Sequence, residues 1–331
     1  MTGLLLALDF GGTKHTAAVV GLSERQWRAH QRAFSPPDAD ADADYDITTM
    51  RALAWDLLGG ERPAAVGVSF GGPVDATTGT VRLSPHVPGW ENVPLRRMLE
   101  TEFGAPASVD NDANAAALGE HRFGAGRGYD SLLYVTVSTG VGGGWILNGR
   151  PWRGAGGMAG EIGHTVVDPA GPVCVCGKRG CVERLAAGPG IAQRAREWLG
   201  ADSDRGRILR ALAGQDVETV TAQLVSQAAA QGDELAWEAL EVAAQALGAG
   251  IGNAANLMNP QRFVLGGGVT KAGERFWAVI RRVAHEIALP GVHFDVVPAA
   301  LGDDAPLWGA VVLAEECLSP TQGVDCATDT V

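Results

Sequence analysis

The sequence predicts an α/β protein built on a duplicated unit. In each half a buried strand runs into a glycine and threonine turn and back out as a second strand. The first turn is Asp9-Phe10-Gly11-Gly12-Thr13-Lys14, and the second is Ser138-Thr139-Gly140-Val141-Gly142-Gly143-Gly144. Around both turns, apolar runs of strand length alternate with stretches of helical spacing.

The elements follow in order. Residues 4–8 form a continuous apolar run ending at Asp9, the mark of a buried strand whose carboxyl end delivers the aspartate to a turn. Residues 17–21 and 26–34 follow as strands. Residues 38–46 alternate Ala and Asp after Pro36 and Pro37. Ala43 and Thr49 stand where a calcium loop needs Gly and Glu, so this segment is expected as a solvated loop. Met50, Leu53, Ala54 and Leu57 give residues 47–58 helical spacing, and residues 64–69 return as a strand into Phe70-Gly71-Gly72-Pro73. Residues 94–103 read as a helix, 107–110 as a short strand, and 111–123 as an alanine-filled helix capped by Asn or Asp. Strands are expected at 131–137 and 145–147, and helices at 189–199, 217–230 and 234–258. A strand at 261–265 ends in Gly266-Gly267-Gly268. A helix at 273–287, a strand at 292–297 and a helix at 305–317 complete the pattern, with a polar, frayed tail from Ser319. No linker rich in Pro, Ser or charge divides the chain, so a domain boundary is expected as a crossing between packed lobes.

With 331 residues the chain is long enough for two domains. A formal net charge of -12 argues against nucleic acid or an anionic membrane as partner, because both demand clustered Lys and Arg. An anionic ligand must then be held locally, by backbone N–H groups, a few cations and bound metal. No apolar run approaches the roughly 20 residues of a membrane span, and Met1-Thr2-Gly3 leads into the first strand without a basic region, so a cytoplasmic protein is expected.

One histidine and three cysteines, His164, Cys174, Cys176 and Cys181, stand in the spacing H-x9-C-x-C-x4-C directly after Gly160-Glu161-Ile162-Gly163. A Cys3His set satisfies tetrahedral zinc fully and leaves no open position to activate water, so the expected role is structural. Disulfides are the plain alternative. Three thiols cannot all pair, Cys174 and Cys176 are poorly spaced for a bridge, and no secretory segment is evident. Cys317 and Cys326 lie outside the pattern and are expected as plain core and tail residues.

Four other groups carry candidate chemistry. Asp9, Gly11, Gly12, Thr13 and Lys14 can present backbone amides, a hydroxyl and an ammonium to a phosphate, although a G-G-T-K turn alone also reads as a hairpin. Thr139, Gly140 and Gly142 offer similar equipment from the second half. Gly267 and Gly268 could pass close to an adenine or ribose, or could simply need positive φ in a strand-to-helix turn. Asp110-Asn111-Asp112-Ala113-Asn114 heads a helix, where one cap suffices. A cleft-facing Asp112 could accept the proton of a sugar hydroxyl as that oxygen attacks phosphorus, with Asn111 fixing neighbouring hydroxyls. Glu161 and Glu183 flank the metal loop and can accept vicinal sugar hydroxyls. His164 can give one ring nitrogen to zinc and the other to the sugar. Trp90 could wall the sugar pocket or pack on the core.

Together these residues resemble the ROK family of bacterial sugar kinases and repressors, which shares the actin and hexokinase type of fold. The likeness covers nearly the whole chain. It rests on Asp9 to Lys14, Gly71-Gly72-Pro73-Val74-Asp75, Asn111-Asp112, the signature from Thr139 through Gly163, and the zinc segment ending at Glu183. Repressor members carry a helix-turn-helix before the first phosphate loop, whereas eight residues precede Asp9 here, so the resemblance implies a kinase. It implies duplicated actin-like ATPase (ribonuclease H-like) lobes with an interlobe cleft. The small lobe is expected over 1–112 plus 304–331, and the large lobe, with the zinc loop and adenosine site, over 113–303. It implies ATP, magnesium near Asp9, structural zinc, and Asp112 as base. Gly72, Asn111, Asp112, Glu161, His164 and Glu183 are the implied sugar ligands. A homodimer is implied as well. The expected reaction is transfer of the γ-phosphoryl group to a hexose primary hydroxyl, most simply that of glucose, in lobes that close to exclude water. N-acetylmannosamine, fructose or another hexose are alternative substrates, and a non-catalytic sugar sensor is the alternative class. One departure is notable. Many relatives place Asn in the turn before Gly-Trp, where this chain has Ser84-Pro85-His86-Val87-Pro88.

Overall fold

Strand β1 (Leu4–Phe10) is buried along its whole length, as a run with no charged side chain before Asp9 requires. The computed structural model describes residues 3–12, 14–22, 24–35, 42–84, 87–202, 204–214 and 216–319. Pro36, Pro37 and the first part of the expected solvated loop (38–41), Thr13, His86 and Cys326 therefore lie outside the described residues.

After β1 the chain turns back antiparallel as β2 (Lys14–Gly21) and again as β3 (Ala29–Phe34). Helix α1 (Ala43–Leu58) starts four residues before the expected position. The Asp42 side chain caps it by accepting the Tyr45 N–H at 2.9 Å. Residues 43–46 are therefore helix rather than loop. Alternation of Ala with Asp hid the start, because both the cap and the first-turn acids Asp44 and Asp46 belong to the same run. Strand β4 (Ala65–Phe70) lies parallel to β1, the short β5 (Val74–Asp75) and β6 (Thr80–Val81) form a hairpin, and α2 (Leu95–Phe103) precedes β7 (Ala107–Asn111). The resulting five-stranded sheet has the order β3-β2-β1-β4-β7. One face of it packs on α1 and α2 through Leu6, Leu8, Met50, Ala54, Leu99 and Phe103.

Helix α3 (Asp112–Phe123) leads to β8 (Leu132–Val137), β9 (Val141–Leu147) and β10 (Arg150–Trp152). Strand β9 begins at Val141, four residues before the expected start, so Gly142, Gly143 and Gly144 are strand residues and only 138–140 form the turn. The glycines serve packing. A Cβ on Gly143 would meet the Gly160 carbonyl oxygen at 2.7 Å, and one on Gly160 would meet the Gly143 oxygen at 2.3 Å. The segment leading to Glu161 thus crosses β9 backbone to backbone.

The zinc-type loop is followed by α4 (Val182–Ala186), α5 (Gly188–Ala201), α6 (Arg207–Leu212), α7 (Ala222–Ala230) and α8 (Glu234–Met258). The single helix expected over 217–230 is broken. A 3-10 turn at Val217–Thr219 is capped by Asp216, and Thr221 starts a new helix by accepting the Leu224 N–H at 3.2 Å. Strand β11 (Arg262–Gly266), α9 (Glu274–Ile287), β12 (Asp295–Pro298) and α10 (Ala305–Leu318) complete the chain. The second sheet has the order β10-β9-β8-β11-β12. Like the first, it joins an antiparallel three-strand meander to two strands added in parallel. The duplication read from the two glycine turns is therefore a duplication of sheet topology, and the fold is that of two mixed α/β lobes of the actin-like ATPase type.

By packing, the chain divides into two units. One runs up to Ala115 and resumes at Gly309, and the other is Ala116–Trp308. Among the described residues no helix is long and apolar enough to cross a membrane.

Candidate active site

In the first unit the chemistry gathers at the carboxyl ends of β1, β4 and β7. Strand alternation places Asp9 beside Thr16 on β2 and Ser69 on β4. The Ser69 hydroxyl donates to Asp9 Oδ1 at 2.7 Å. Burial raises the Asp9 carboxyl above its ordinary range, while Ser69 and the charges of Lys14, His15 and Arg32 pull it back. The turn that follows is closed by the Gly11 N–H donating to the Lys14 carbonyl at 3.0 Å.

Asn111 ends β7 and caps α3. Its Oδ1 accepts the Ala113 N–H at 3.0 Å, and its Nδ2 donates to the Gly72 carbonyl at 3.1 Å and to Asp112 Oδ1 at 2.9 Å. Asp110 is also absorbed structurally, accepting from the Asn111 N–H and the Asn114 side chain. All four polar residues are tied into the network at the helix head, Asp112 through its Oδ1, which accepts the Ala113 N–H at 2.8 Å and the Asn111 amide. Asp112 is set apart by its electrostatics. Burial, then the nearby Asp9 charge, push its carboxyl up to about 6 against the pull of the Ala113 N–H and Asn111, although the residue keeps some solvent exposure. A carboxylate with a value near neutrality at a helix head can take a proton during turnover.

Trp90 does not wall a pocket. It is fully buried, its ring packs edge-on against Phe10 and Phe70, and its Nε1 donates to Asp46 at 3.0 Å.

In the second unit, His164, Cys174, Cys176 and Cys181 come together, their ligand atoms all within 4.8 Å of one another. His164 Nδ1 lies 3.9 Å from Cys174 Sγ, and Cys176 Sγ lies 3.6 Å from Cys181 Sγ. Tetrahedral zinc with Zn–S of about 2.3 Å holds sulfurs about 3.8 Å apart, so the set fits zinc. Burial and the two neighbouring thiols push Cys181 up to about 12, a penalty on forming thiolates that a divalent cation removes. None of these cysteines is in a disulfide.

Glu183 lies one residue into α4, two beyond Cys181. Its Oε2 accepts the Val141 N–H at 3.0 Å, just after the Ser138–Gly140 turn, which is closed by the Ser138 N–H donating to the Gly140 carbonyl. Arg194 holds α4 from below, donating to the Leu185 carbonyl at 2.7 Å and to Ala239 at 2.8 Å. Glu161 is exposed at the head of the 3-10 turn Ile162–His164, and Thr139 is exposed at the turn tip. Gly142 is paired within β9 opposite Thr136 rather than lying in the turn. Gly267 has φ +92, and a Cβ there would meet the Val137 carbonyl oxygen at 2.4 Å, which favours the strand-turn explanation for it; Gly268 faces open space.

Sequence reasoning missed Ser69 as the partner of Asp9 and the link from Glu183 to the second turn. Neither has a local signal, because each depends on strand register or helix docking.

Two lobes of this type, each with a glycine turn at its strand ends, define an actin-like ATPase architecture. A family model described as "ROK family" matches residues 5–317, and the chain belongs to that family. The chain is 33% identical to a glucokinase of Thermotoga maritima over 314 residues, which is 94% of this chain and 97% of that protein. It is 35% identical to an N-acetylmannosamine kinase of Escherichia coli over 317 residues, 94% and 98% of the two chains. Among solved structures, a ROK family glucokinase from Streptomyces griseus in complex with glucose and AMPPNP superimposes with a TM-score of 0.81 at 36% identity, covering 95% of this chain and 100% of that one. The protein is a sugar kinase of the ROK family.

Proposed function

We propose that the protein transfers the γ-phosphoryl group of ATP to the primary hydroxyl of a hexose, with glucose as the substrate. The observation that carries this is Asp112, whose carboxyl is raised to about 6 beside Asp9 at the head of α3. The sugar hydroxyl attacks the γ-phosphorus, its proton passes to the Asp112 carboxylate, and ADP leaves. Asn111, through its bond to the Gly72 carbonyl, is assigned to orient Asp112 and a neighbouring hydroxyl. Glu161, Glu183 and the Nε2 side of His164 are assigned to the remaining hydroxyls. Gly11, Gly12, Thr13 and Lys14, with Thr139 and Gly140, are assigned to the phosphates. Gly142, Gly267 and Gly268 are assigned to the nucleotide by resemblance.

Asp9 is assigned by resemblance to hold magnesium, which when bound would neutralise charge on the phosphates, and its burial at the end of β1 beside the first turn supports that reading. The Cys3His set suits zinc in a structural role. The lobe bounds 1–112 plus 304–331 and 113–303, a cytoplasmic location and a homodimer belong to the same proposal. The glucokinase relatives and the glucose-bound neighbour support glucose; the N-acetylmannosamine kinase relative supports that hexosamine as the second reading.

The test is ADP release over a panel of hexoses and hexosamines, with wild type and Asp112→Asn. Turnover highest with glucose, and abolished by Asp112→Asn while glucose still binds, is the expected result. Near-normal turnover in the variant would remove Asp112 as base, and sugar binding without turnover on any sugar would favour a sensor.

A further inference from the structure

His15 follows Lys14 in β2 and is almost completely buried, an unusual place for an imidazole. Register sets it beside Phe10, so these two residues form the inner footing of both legs of the Gly11–Lys14 turn. Phe10 is wedged by His15 at 5.9 Å, by Trp90 at 5.7 Å and by Phe70 at 6.1 Å between ring centroids. His15 is fixed differently. Its Nε2 lies 2.8 Å from Asp46 Oδ1 and 3.4 Å from Ser35 Oγ, and its Nδ1 is buried with no hydrogen-bond partner among the described residues. The ring's described polar contacts are therefore all on its Nε2 side.

Asp46 is itself buried, in the first turn of α1, where its other oxygen accepts the Trp90 indole N–H. The start of that helix is tied to the same loop by the Ala43 N–H donating to the Pro88 carbonyl at 3.0 Å. The Asp46 carboxylate is thus hydrogen-bonded to Trp90 through one oxygen and packed at ion-pair distance from His15 through the other, a buried joint in which loss of either contact leaves the carboxylate less compensated.

We infer that His15 is a positioning residue for the phosphoryl donor, held by the Asp46 carboxylate and its Trp90 anchor so that Lys14 is presented at a fixed place. This rests on the assignment of the Gly11–Lys14 turn to nucleotide phosphates. Both members of the pair are buried, and neither is assigned to a substrate. Its effect is on the footing of the turn, so it should appear in nucleotide affinity and leave sugar affinity alone.

The experiment is calorimetric binding of AMPPNP and, separately, of glucose to the full chain, with thermal unfolding to set a temperature at which each variant is folded. His15→Phe keeps the ring and removes the polar contact. His15→Gln places an amide N–H near the Nε2 position and should restore it. AMPPNP affinity is expected to fall about tenfold in His15→Phe and about fivefold in Asp46→Asn, to stay within about twofold in His15→Gln, and glucose affinity to stay within about twofold throughout. Should His15→Phe fail to fold, Asp46→Asn decides. AMPPNP affinity within about twofold of wild type in folded His15→Phe or Asp46→Asn, or an equal loss in His15→Gln, overturns the inference. Absence of sugar turnover by wild type that still binds AMPPNP would instead count against the kinase reading alone.

Discussion

Glu183 Oε2 accepts the Val141 backbone N–H at 3.0 Å, which ties the helix following the zinc-type loop to the glycine turn of the second sheet. A carboxylate proposed for sugar thus also holds a turn proposed for phosphate. Glu183→Ala removes both functions, whereas Glu183→Gln keeps an acceptor oxygen for Val141. A hydrogen bond to a charged group is worth about 1.5–3 kcal/mol, so Glu183→Ala is expected to raise the KM for ATP about tenfold or more. Glu183→Gln should affect chiefly the KM for sugar. Steady-state kinetics with each substrate varied in turn checks this, and an unchanged ATP constant in Glu183→Ala would contradict it.

The raised Asp112 carboxyl fixes a pH profile. As the base it must be ionised, so kcat/KM is expected to fall tenfold per pH unit below about 6 and to level off above it. Stability runs the opposite way. The folded value, about 6, lies above the ordinary 3.8, so the folded state binds this proton more tightly than the unfolded chain does. That stabilisation is present at low pH and is lost as pH rises through about 6. Asp112→Asn, which carries no charge to bury, should be more stable than wild type at pH 8: about 2 pKa units at about 1.4 kcal/mol each set an upper bound of about 3 kcal/mol, which the residue's partial exposure reduces to about 1–2 kcal/mol. The advantage should shrink towards pH 4. Thermal unfolding across pH measures it.

Metal removal gives a third outcome. Three thiols whose sulfurs lie within 4.8 Å of one another cannot all become thiolates without a cation, and the neutral imidazole of His164 supplies the fourth donor. Chelation or Cys181→Ser is expected to release one zinc per chain by elemental analysis, to lower the melting temperature, and, through Glu183, to weaken nucleotide and sugar binding together. Metal-free protein with wild-type kinetics would remove the structural role.

Glu120 gives a stability test away from the chemistry. It is fully buried in α3, and its carboxylate accepts three backbone N–H groups, from Ala125 at 2.7 Å, Ala300 at 3.1 Å and Leu301 at 2.8 Å. Glu120→Ala leaves all three donors without that acceptor, so a loss of about 3–5 kcal/mol in denaturant unfolding is expected.

What could be read from the chain in advance was whatever is local in it. The Asp9 to Lys14 turn, the clustered His164, Cys174, Cys176 and Cys181 and the bounds of α8 are written in consecutive or closely spaced residues. Asp112 could be singled out because four polar residues head α3 where one cap is enough. Ser69 against Asp9, Glu183 against Val141 and His15 against Asp46 lie 60, 42 and 31 positions apart and depend on pairing register or helix docking, which no short window contains. The run of glycines after Thr139 misled for a related reason. Glycine signals either a turn or a close backbone approach, and only the crossing of Gly160 over β9 decides between them.

That crossing limits how this protein can change. Since Gly143 and Gly160 press main chain on main chain, neither position can gain even a methyl group without shifting the stretch that bears Glu161. In a mutagenic library built to alter sugar preference, substitutions at these two sites would displace the main chain before they reshaped any contact, so diversity belongs elsewhere along the loop.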